Sequence, residues 1–218
     1  MMSDFATARE NMVEKQLRPS EVDDPRVIEA FRQVPREVFL PARLRSVAYQ
    51  DEDIDLGGNR HLIEPLVLAR LMQVSRPLAE DVALVVGCHT GYAAAMLSKL
   101  VATVFLLVPD EDAVAPIEAR FDEFGFDNIV VQVGRAADGL AEQAPFNLVL
   151  LAGSVVEAPA ALLGQLDEGG RLAAVVESGR AGTVTVFTRV GGAVGKRQLF
   201  DARTPPIAEL VPGPAFEF

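Results

Sequence analysis

A turn that carries two glycines, a cysteine and a histidine follows the first strongly apolar run of the sequence. The run is Leu84-Val85-Val86, the turn is Gly87-Cys88-His89-Thr90-Gly91, and an alanine-rich stretch with helical spacing continues to Leu97. This order predicts a strand, a tight turn and a helix. In parallel α/β sheets, ligands bind beyond the carboxyl ends of the strands, where helix N-terminal N–H groups favour anionic groups. We therefore predict a ligand site at this turn.

Cys88 and His89 raise two other kinds of chemistry. A cysteine–histidine nucleophile needs converging side chains, whereas neighbours in a turn usually point apart. With His61 and Glu64 they form chemically suitable metal ligands, but no recognised ligand spacing supports a metal site. Ser154 lacks the Gly-x-Ser-x-Gly elbow, and no histidine follows it, so a hydrolase triad in the usual chain order is absent. We predict that no metal is bound and that these side chains fill a closed pocket.

The charge and composition exclude several classes of partner. The 218 residues include 20 basic and 31 acidic ones, for a formal net charge of −11. An acidic chain repels phosphate backbones and anionic lipid heads, so we expect neither nucleic-acid nor membrane-surface binding. No apolar run reaches the ~18 residues of a membrane span and no signal peptide is recognisable, which predicts a cytoplasmic protein. Cys88 is the only cysteine, so an internal disulfide is excluded.

Residues 1–76 are predicted to form a helical cap and a loop that faces the sheet. A helix is expected from residue 3 to about residue 18, and Asp24-Pro25 combines an N-cap with a proline at the first position of a second helix. A glycine-rich loop over residues 56–65 leads into a third helix that ends before Pro77.

Strands and helices alternate over residues 77–218, which is typical of a parallel sheet with crossover helices. Strict alternation from Thr183 to Arg189, followed by Gly191-Gly192, predicts a C-terminal antiparallel hairpin at one edge. We therefore predict an α/β fold, a Rossmann-like, doubly wound, seven-stranded and mostly parallel sheet that forms one compact unit with the cap. The proline-rich tail is expected to be extended and to dock Phe216 and Phe218 on the surface. The parallel strands are placed at Val82–Val86, Thr103–Val108, Asn128–Val133, Phe146–Leu151 and Arg171–Val176, and the helices at Tyr92–Leu100, Asp112–Phe124 and Pro159–Leu166.

Several separate motifs follow one another along the chain. They are Met12-Val13-Glu14-Lys15-Gln16-Leu17-Arg18, Asp24-Pro25-Arg26-Val27, Val34-Pro35-Arg36-Glu37-Val38-Phe39-Leu40-Pro41, Ala48-Tyr49, Gly91-Tyr92-Ala93-Ala94, Ala144-Pro145-Phe146-Asn147, Pro159-Ala160-Ala161-Leu162-Leu163 with Gln165-Leu166, and Gly169-Gly170-Arg171-Leu172. In this order and spacing they resemble the protein-L-isoaspartate O-methyltransferase family, which has a class I methyltransferase fold. Because unrelated segments agree, the resemblance is specific to that family and goes beyond a generic Rossmann pattern.

The resemblance implies methyl transfer from S-adenosylmethionine to the side-chain carboxylate of an isoaspartyl residue, a repair step for damaged proteins. The partner would be an isoaspartyl-containing peptide or protein. A carboxylate is already a nucleophile, so such a site works through alignment and electrostatics and needs no metal or covalent intermediate. The oligomeric state does not follow from the resemblance.

The turn departs from the family's pattern of an acid followed by three spaced glycines. The acid's position is Val85, the middle glycine is His89, and Gly87 and Gly91 are kept. The resemblance places Gly87, His89 and Gly91 at the cofactor. A side chain at His89 stands where the backbone would approach the ligand, so crowding is expected. The two glycines also fit a second interpretation, in which they serve only the sharp turn.

Two further cofactor positions of the family lack their acids. The residue that would accept the ribose hydroxyls is Val108, with Asp110 two residues further on as a substitute or as an ordinary helix N-terminal acid. The family's Gly-Asp-Gly after the third strand is Gly134-Arg135-Ala136 here, with Asp138 displaced by three residues. An arginine cannot accept a hydrogen bond from the adenine amino group.

The family's substrate loop, Gln-Thr-Ile-Ser-Gln-Pro, corresponds to Arg60-His61-Leu62-Ile63-Glu64-Pro65. Both hydroxyls are absent. The candidate substrate residues are therefore Arg60, His61, Ile63 and Glu64. Arg60 has two interpretations: a bidentate fork for a carboxylate of the substrate, or a salt bridge to the acidic residues 51–55.

These departures predict that the scaffold persists while S-adenosylmethionine binding is weakened or lost. Two alternatives remain: an active methyltransferase with compensating residues, and a non-catalytic peptide-binding or scaffold protein that needs no cofactor. A pocket filled at His89 favours loss of binding. An open pocket lined by Gly87, Gly91, Asp110 and Asp138 favours the enzyme.

Overall fold

The N-terminal part of the molecule packs three helices and a small hairpin against the rest. The structure, a computed structural model, describes residues 2–178 and 181–211. Asp24 caps the second helix as predicted, because its side chain accepts from the N–H of Arg26 at 2.9 Å. The predicted first helix is confirmed, although its last turns are a π-helix (Val13–Leu17) and a 3-10 turn (Arg18–Ser20). These elements are α1 (Met2–Met12), α2 (Pro25–Gln33), β1 (Ile54–Gly57), β2 (Arg60–Leu62) and α3 (Pro65–Ser75).

The second part of the described chain forms one seven-stranded sheet. Its strands are β3 (Val82–Val86), β4 (Thr103–Val108), β5 (Ile129–Val133), β6 (Phe146–Val155), β7 (Leu166–Ser178), β8 (Ala181–Val190) and β9 (Ala193–Ala202). They lie in the order β5-β4-β3-β6-β7-β8-β9, with the first five parallel and the last two antiparallel. The predicted fold class and the C-terminal hairpin are confirmed. β6 runs past its predicted end because it pairs with β7 again at Ser154, after an irregularity.

Hydrophobic clusters cover both faces of the sheet. Successive side chains of β3 point to opposite faces, so Val85 joins the cluster with the N-terminal helices, and Leu84 and Val86 join the other. The crossover helices are α4 (Tyr92–Ser98), α5 (Val114–Phe124) and α6 (Ala160–Gly164). β3 pairs with β4 on one side and β6 on the other, which creates the crevice at which doubly wound sheets bind ligands. None of the described helices has both the length and the apolar composition that a bilayer crossing requires.

Two expectations are corrected by the structure. The glycine-rich loop predicted at residues 56–65 overlaps the β1–β2 hairpin, which spans residues 54–62 and whose Gly58 and Asn59 adopt the positive φ angles of a tight turn. The tail does not simply lie extended on the surface, because Ile207 is buried and a 3-10 turn follows it. Phe216 and Phe218 lie outside the described residues.

Candidate functional site

The turn between β3 and α4 satisfies its own hydrogen bonds. Gly87 has a φ of +80°, a conformation that favours glycine. The N–H of Tyr92 donates to Oγ1 of Thr90 at 3.2 Å, and the N–H of Ala93 donates to Sγ of Cys88 at 3.2 Å. The backbone N–H groups at a helix N-terminus normally donate to a capping side chain or to an anionic ligand. Two of them are already taken by the turn itself.

A C-terminal segment, residues 203–210, lies across the carboxyl ends of the strands. Ser154, near the end of β6, exchanges two backbone hydrogen bonds of 2.9 Å with this segment. The side chain of Ile207 comes so close to Gly87 and Gly153 that a Cβ added to either glycine would lie 2.7 Å from it. The glycine at the turn therefore gives room to a side chain of the protein itself.

His89 contacts the same segment, with its Nε2 3.4 Å from Oε1 of Glu209. Burial lowers the pKa of His89, and Arg60 and His61 act in the same direction, whereas Glu209 and Asp110 raise it. The imidazole is therefore largely neutral at neutral pH, and its contact with Glu209 is polar rather than fully ionic. The side chain of His89 is 9% exposed, so it fills space that a ligand would need.

Between these groups remains a cavity of about 10 Å³, which we call the strand-end cavity. It is bordered by Gly87, His89, Val108 and Glu209, among others. That volume admits one water molecule at most, whereas small-molecule sites usually measure about 300–1,000 Å³. Val108 ends β4 with a buried aliphatic side chain and provides no side-chain acceptor.

Three other predicted cofactor residues lie outside this cavity. Gly91 packs against α5, where an added Cβ would lie 2.8 Å from the ring of Phe121. Asp110 is exposed and precedes a 3-10 turn. Arg135 is exposed and forms an ion pair of 3.6 Å with Asp138. The structure thus brings together Gly87, His89 and Val108 but not these three.

The hairpin and the residues after it form the loop predicted to face the substrate. Arg60 is exposed and donates from Nε to the carbonyl of Gly57 at 3.4 Å. Within residues 2–178 and 181–211 it forms no ion pair with the acidic residues 51–55, so the salt-bridge interpretation is wrong for this structure. Nδ1 of His61 is buried without a hydrogen-bond partner among the described residues. Ile63 is buried and belongs to the core.

Glu64 carries a carboxyl group that is readily protonated. Burial raises its pKa to about 7, and the negative charges of Asp51 and Asp53 act in the same direction. Its backbone N–H donates to Oδ1 of Asp53 at 2.9 Å, and burial raises the pKa of Asp53 as well. Near neutral pH the side chain of Glu64 can therefore donate a hydrogen bond as well as accept one.

Arg36 holds this loop in place, a role that the sequence reasoning missed. It is fully buried, and it donates from Nε to the carbonyl of Ala48 at 2.8 Å and from Nη2 to the carbonyl of Ile63 at 2.7 Å. Its guanidinium carbon lies 4.9 Å from the ring centroid of Tyr92, a favourable cation–π distance. Burial lowers the pKa of Arg36. The sequence signal that could have indicated this role is the position of Arg36 within the family-like motif at residues 34–41.

A second cavity, of about 380 Å³, borders the other end of the C-terminal segment. We call it the acidic pocket, because Asp53 and Glu177 line it together with Ser154 and Thr204. Oγ of Ser154 donates to Oε1 of Glu177 at 2.7 Å. The side chain of Thr204 is buried, and its hydroxyl has no partner among the described residues. The exposed Arg203 is the cation of the lining.

Cys88 and His89 do not converge on a common point. Sγ of Cys88 accepts from α4, whereas His89 faces Glu209. Among the described residues, no three histidine, cysteine or acidic side chains are grouped as metal ligands. The two neighbouring side chains therefore serve the turn and the C-terminal segment, respectively.

Comparison with known proteins identifies the family. A family model described as protein-L-isoaspartate(D-aspartate) O-methyltransferase matches residues 7–208. The chain belongs to this family. The protein-L-isoaspartate O-methyltransferase of Koribacter versatilis is 34% identical over 206 residues, which cover 94% of this chain and 93% of that protein. The protein of the same name from Roseiflexus castenholzii is 33% identical over 204 residues, with the same shares of the two chains.

Solved structures of protein-L-isoaspartate O-methyltransferases share the fold. One has a TM-score of 0.76 at 21% identity; the match covers 91% of this chain and 65% of the other. A putative protein-L-isoaspartate O-methyltransferase from Plasmodium falciparum, in complex with S-adenosyl-L-homocysteine, has a TM-score of 0.75 at 19% identity. The match covers 94% of this chain and 98% of the other. At these identities the likeness establishes the architecture alone.

The strand-end cavity does not fit S-adenosylmethionine, the methyl donor that membership of the isoaspartate methyltransferase family implies. His89 and Glu209 border a space of only about 10 Å³, and Ile207 packs against Gly87 beside it. The buried Val108 offers no acceptor for ribose hydroxyls. Room for a nucleoside and a side-chain acceptor at the end of β4 are both missing where the family resemblance places the cofactor.

Proposed function

We propose that this chain is a protein-binding member of the isoaspartate methyltransferase family in which S-adenosylmethionine binding is weakened or lost. The observation that carries the proposal is the small volume of the strand-end cavity, which His89 and Glu209 border in contact with each other, while Ile207 packs against Gly87 beside it. A nucleoside would have to displace these side chains. At Val108 the nucleoside would also lack the charge-assisted hydrogen bonds that an acidic residue at this position would accept from the ribose hydroxyls. Each such bond contributes about 1.5–3 kcal/mol, so its absence weakens binding about tenfold or more.

The loop that faces the substrate in the family supports a retained binding role. Arg60 presents an exposed guanidinium, which is a bidentate partner for a carboxylate. The protonatable Glu64 lies in the same loop, and the buried Arg36 holds the backbone at Ile63. We infer that an isoaspartyl-containing peptide or protein segment binds here, with the free carboxylate of its isoaspartyl residue paired to Arg60.

Calorimetric titration of the full-length protein tests the cofactor half of the proposal. With S-adenosylmethionine or S-adenosylhomocysteine, we expect a Kd of about 1 mM or weaker. A micromolar Kd for either ligand would overturn the proposal, since it would require the cavity to open at little cost.

A peptide pair tests the binding half. An isoaspartyl peptide should bind more tightly than its aspartyl counterpart, and Arg60→Gln should weaken the isoaspartyl complex about tenfold, as expected for loss of a charge-assisted contact. Arg43→Gln, at an exposed arginine outside this loop, is the matched control for loss of one positive charge. Equal binding of the two peptides, or equal effects of the two variants, would contradict the assignment of Arg60.

An active methyltransferase is the second candidate function, and one observation favours it. Gly87 and Gly91 keep φ angles of +80° and +84°, so the backbone of the turn retains a shape compatible with close ligand approach. In that case the C-terminal segment would have to leave the strand-end cavity when the cofactor binds. Transfer of labelled methyl groups to an isoaspartyl peptide, at a rate proportional to protein concentration, would establish this candidate.

A further inference from the structure

The acidic pocket is distinct from the strand-end cavity and has its own chemistry. Its described lining includes two acidic residues, Asp53 and Glu177, and one basic residue, the exposed Arg203. Neither carboxylate forms an ion pair within the part of the chain that the structure describes. The described lining is thus net negative, and it favours a cationic guest.

The hydroxyl groups of the pocket add acceptors to these charges. Oγ of Ser154 donates its hydrogen to Oε1 of Glu177 at 2.7 Å. The lone pairs of Oγ therefore remain as acceptors. Thr204 is 7% exposed, and its hydroxyl lacks any partner among the described residues. A buried hydroxyl without a partner is unfavourable, so a donor supplied by a ligand would stabilise it. This orphaned group is independent of the acidic cluster.

We propose that the acidic pocket binds an alkylammonium group. An ammonium has three N–H donors and no acceptor, which matches the acceptors of Glu177, Ser154 and Thr204. The cavity of about 380 Å³ also has room for an alkyl chain, and Val175 and Pro205 supply apolar wall for it. A metal cation is a poorer match, since the described residues contain no cluster of three or more metal-ligating side chains.

Two sources carry this chemistry: the lysine side chain of a bound protein segment and a free small diamine. The proposal concerns a cavity other than the one closed by Ile207, and it stands whether or not S-adenosylmethionine binds. Its failure would therefore leave the cofactor proposal untouched, and the reverse also holds.

NMR titration of the full-length protein provides the test. The probes are Nα-acetyl-lysine methylamide, 1,4-diaminobutane and, as a neutral control, Nα,Nε-diacetyl-lysine methylamide. We expect saturable shifts at the backbone amides of Gly182 and Thr204, which line the pocket, with either amine and none with the neutral compound. Tighter binding of the lysine derivative points to a protein segment, and tighter binding of the diamine points to a free ligand.

Charge-matched variants separate a specific site from the general attraction of an acidic protein. Glu177→Gln keeps an acceptor for Ser154 and should weaken amine binding about tenfold, the loss typical of one charged partner. Glu118→Gln removes the same charge from the exposed face of α5 and should change the Kd less than twofold. Equal effects of both variants, binding of the neutral compound, or absence of saturable shifts would overturn the proposal.

A gain-of-binding variant keeps the test decisive if Glu177→Gln does not fold. Arg203→Gln alters an exposed side chain and removes the cation from the lining. It should tighten amine binding about two- to threefold, because one repulsive charge is lost. Unchanged or weaker binding in this variant would contradict the electrostatic basis of the site.

Discussion

The acidic pocket and the strand-end cavity lie at the same edge of one sheet and share the C-terminal segment as a border, yet they measure about 380 Å³ and about 10 Å³. At the acidic pocket, the segment contributes Thr204 and Pro205, which leave the space open. At the strand-end cavity it contributes Glu209, which contacts His89, while Ile207 packs against Gly87 beside the cavity. A few residues of one segment thus border both the larger and the smaller cavity.

Under the proposed function, the family fold persists while one of its sites changes. The overall architecture agrees with solved protein-L-isoaspartate O-methyltransferase structures, at TM-scores of 0.76 and 0.75. These features depend on buried apolar strands, which tolerate changes at the strand ends. The ligand site depends on the side chains that reach those ends, and these can differ while the architecture of the sheet is kept.

The largest expected effect comes from shortening the side chain that closes the strand-end cavity. Ile207 is 3% exposed, so Ile207→Ala should cost about 2–4 kcal/mol of unfolding free energy, whereas Ile207→Val should cost about 1 kcal/mol. Urea denaturation measures both. A loss below about 1 kcal/mol for the alanine variant would mean that the segment is not docked in solution, and the contrast between the two cavities would disappear.

A larger side chain under the segment should have a somewhat smaller effect. Gly153→Ala places a Cβ 2.7 Å from Ile207 and 3.0 Å from the carbonyl oxygen of Pro205, and such overpacking should cost about 1–3 kcal/mol. Gly164→Ala is the matched control, because nothing lies within 4 Å of its added Cβ. It should stay within about 0.5 kcal/mol of the wild type by thermal or urea unfolding. Equal effects of the two substitutions would contradict the close approach at Gly153.

Restoring the family residues should begin to open the strand-end cavity to the cofactor. His89→Gly removes the imidazole, and Val108→Glu supplies an acceptor for the ribose. The double variant should bind S-adenosylmethionine about tenfold more tightly than the wild type, or about 1.4 kcal/mol by calorimetry.

Two controls refine this experiment. His89→Gly alone should give only part of the gain, and adding Ile207→Ala should increase it further, because that side chain also occupies the space beside Gly87. Unchanged affinity in the double variant would show that the two positions are wrongly assigned.

The smallest expected effect is a pH dependence of stability that arises from Glu64. Because the pKa of Glu64 is raised from 4.5 to about 7, the folded state favours the protonated form. Its contribution to stability is complete below pH 4.5 and is lost as the pH rises through about 7. Partial exposure screens the effect, so Glu64→Gln should reduce the loss of stability between pH 5 and pH 8 by roughly 1 kcal/mol.

Urea unfolding at the two pH values measures this difference. Glu118→Gln, on the exposed face of α5, is the control and should leave the pH dependence as in the wild type. A wild-type pH dependence in Glu64→Gln would mean that the carboxyl of Glu64 is solvated like an ordinary surface group.

The sequence anticipated the elements whose cause is local. The apolar runs at Val82–Val86 and Thr103–Val108 form strands with those bounds, because buried parallel strands need unbroken apolar residues. Asp24 and Pro25 begin α2, because the capping side chain of Asp24 and the ring of Pro25 both act within the first helical turn. The crowding at His89 followed from a side chain replacing a glycine in the motif. The β1–β2 hairpin at residues 54–62 was predicted only as part of a loop, because its short strands lack clear alternation.

By itself, the sequence determined the family, the doubly wound sheet and the residues at the turn. Only the tertiary structure decided what occupies the strand ends. Ile207 reaches Gly87, Glu209 reaches His89, and Thr204 lines the same cavity as Glu177 and Ser154, although these residues are distant in the chain. Local patterns encode backbone conformation and burial, whereas the convergence of distant side chains depends on how the whole chain packs, and no short motif records it.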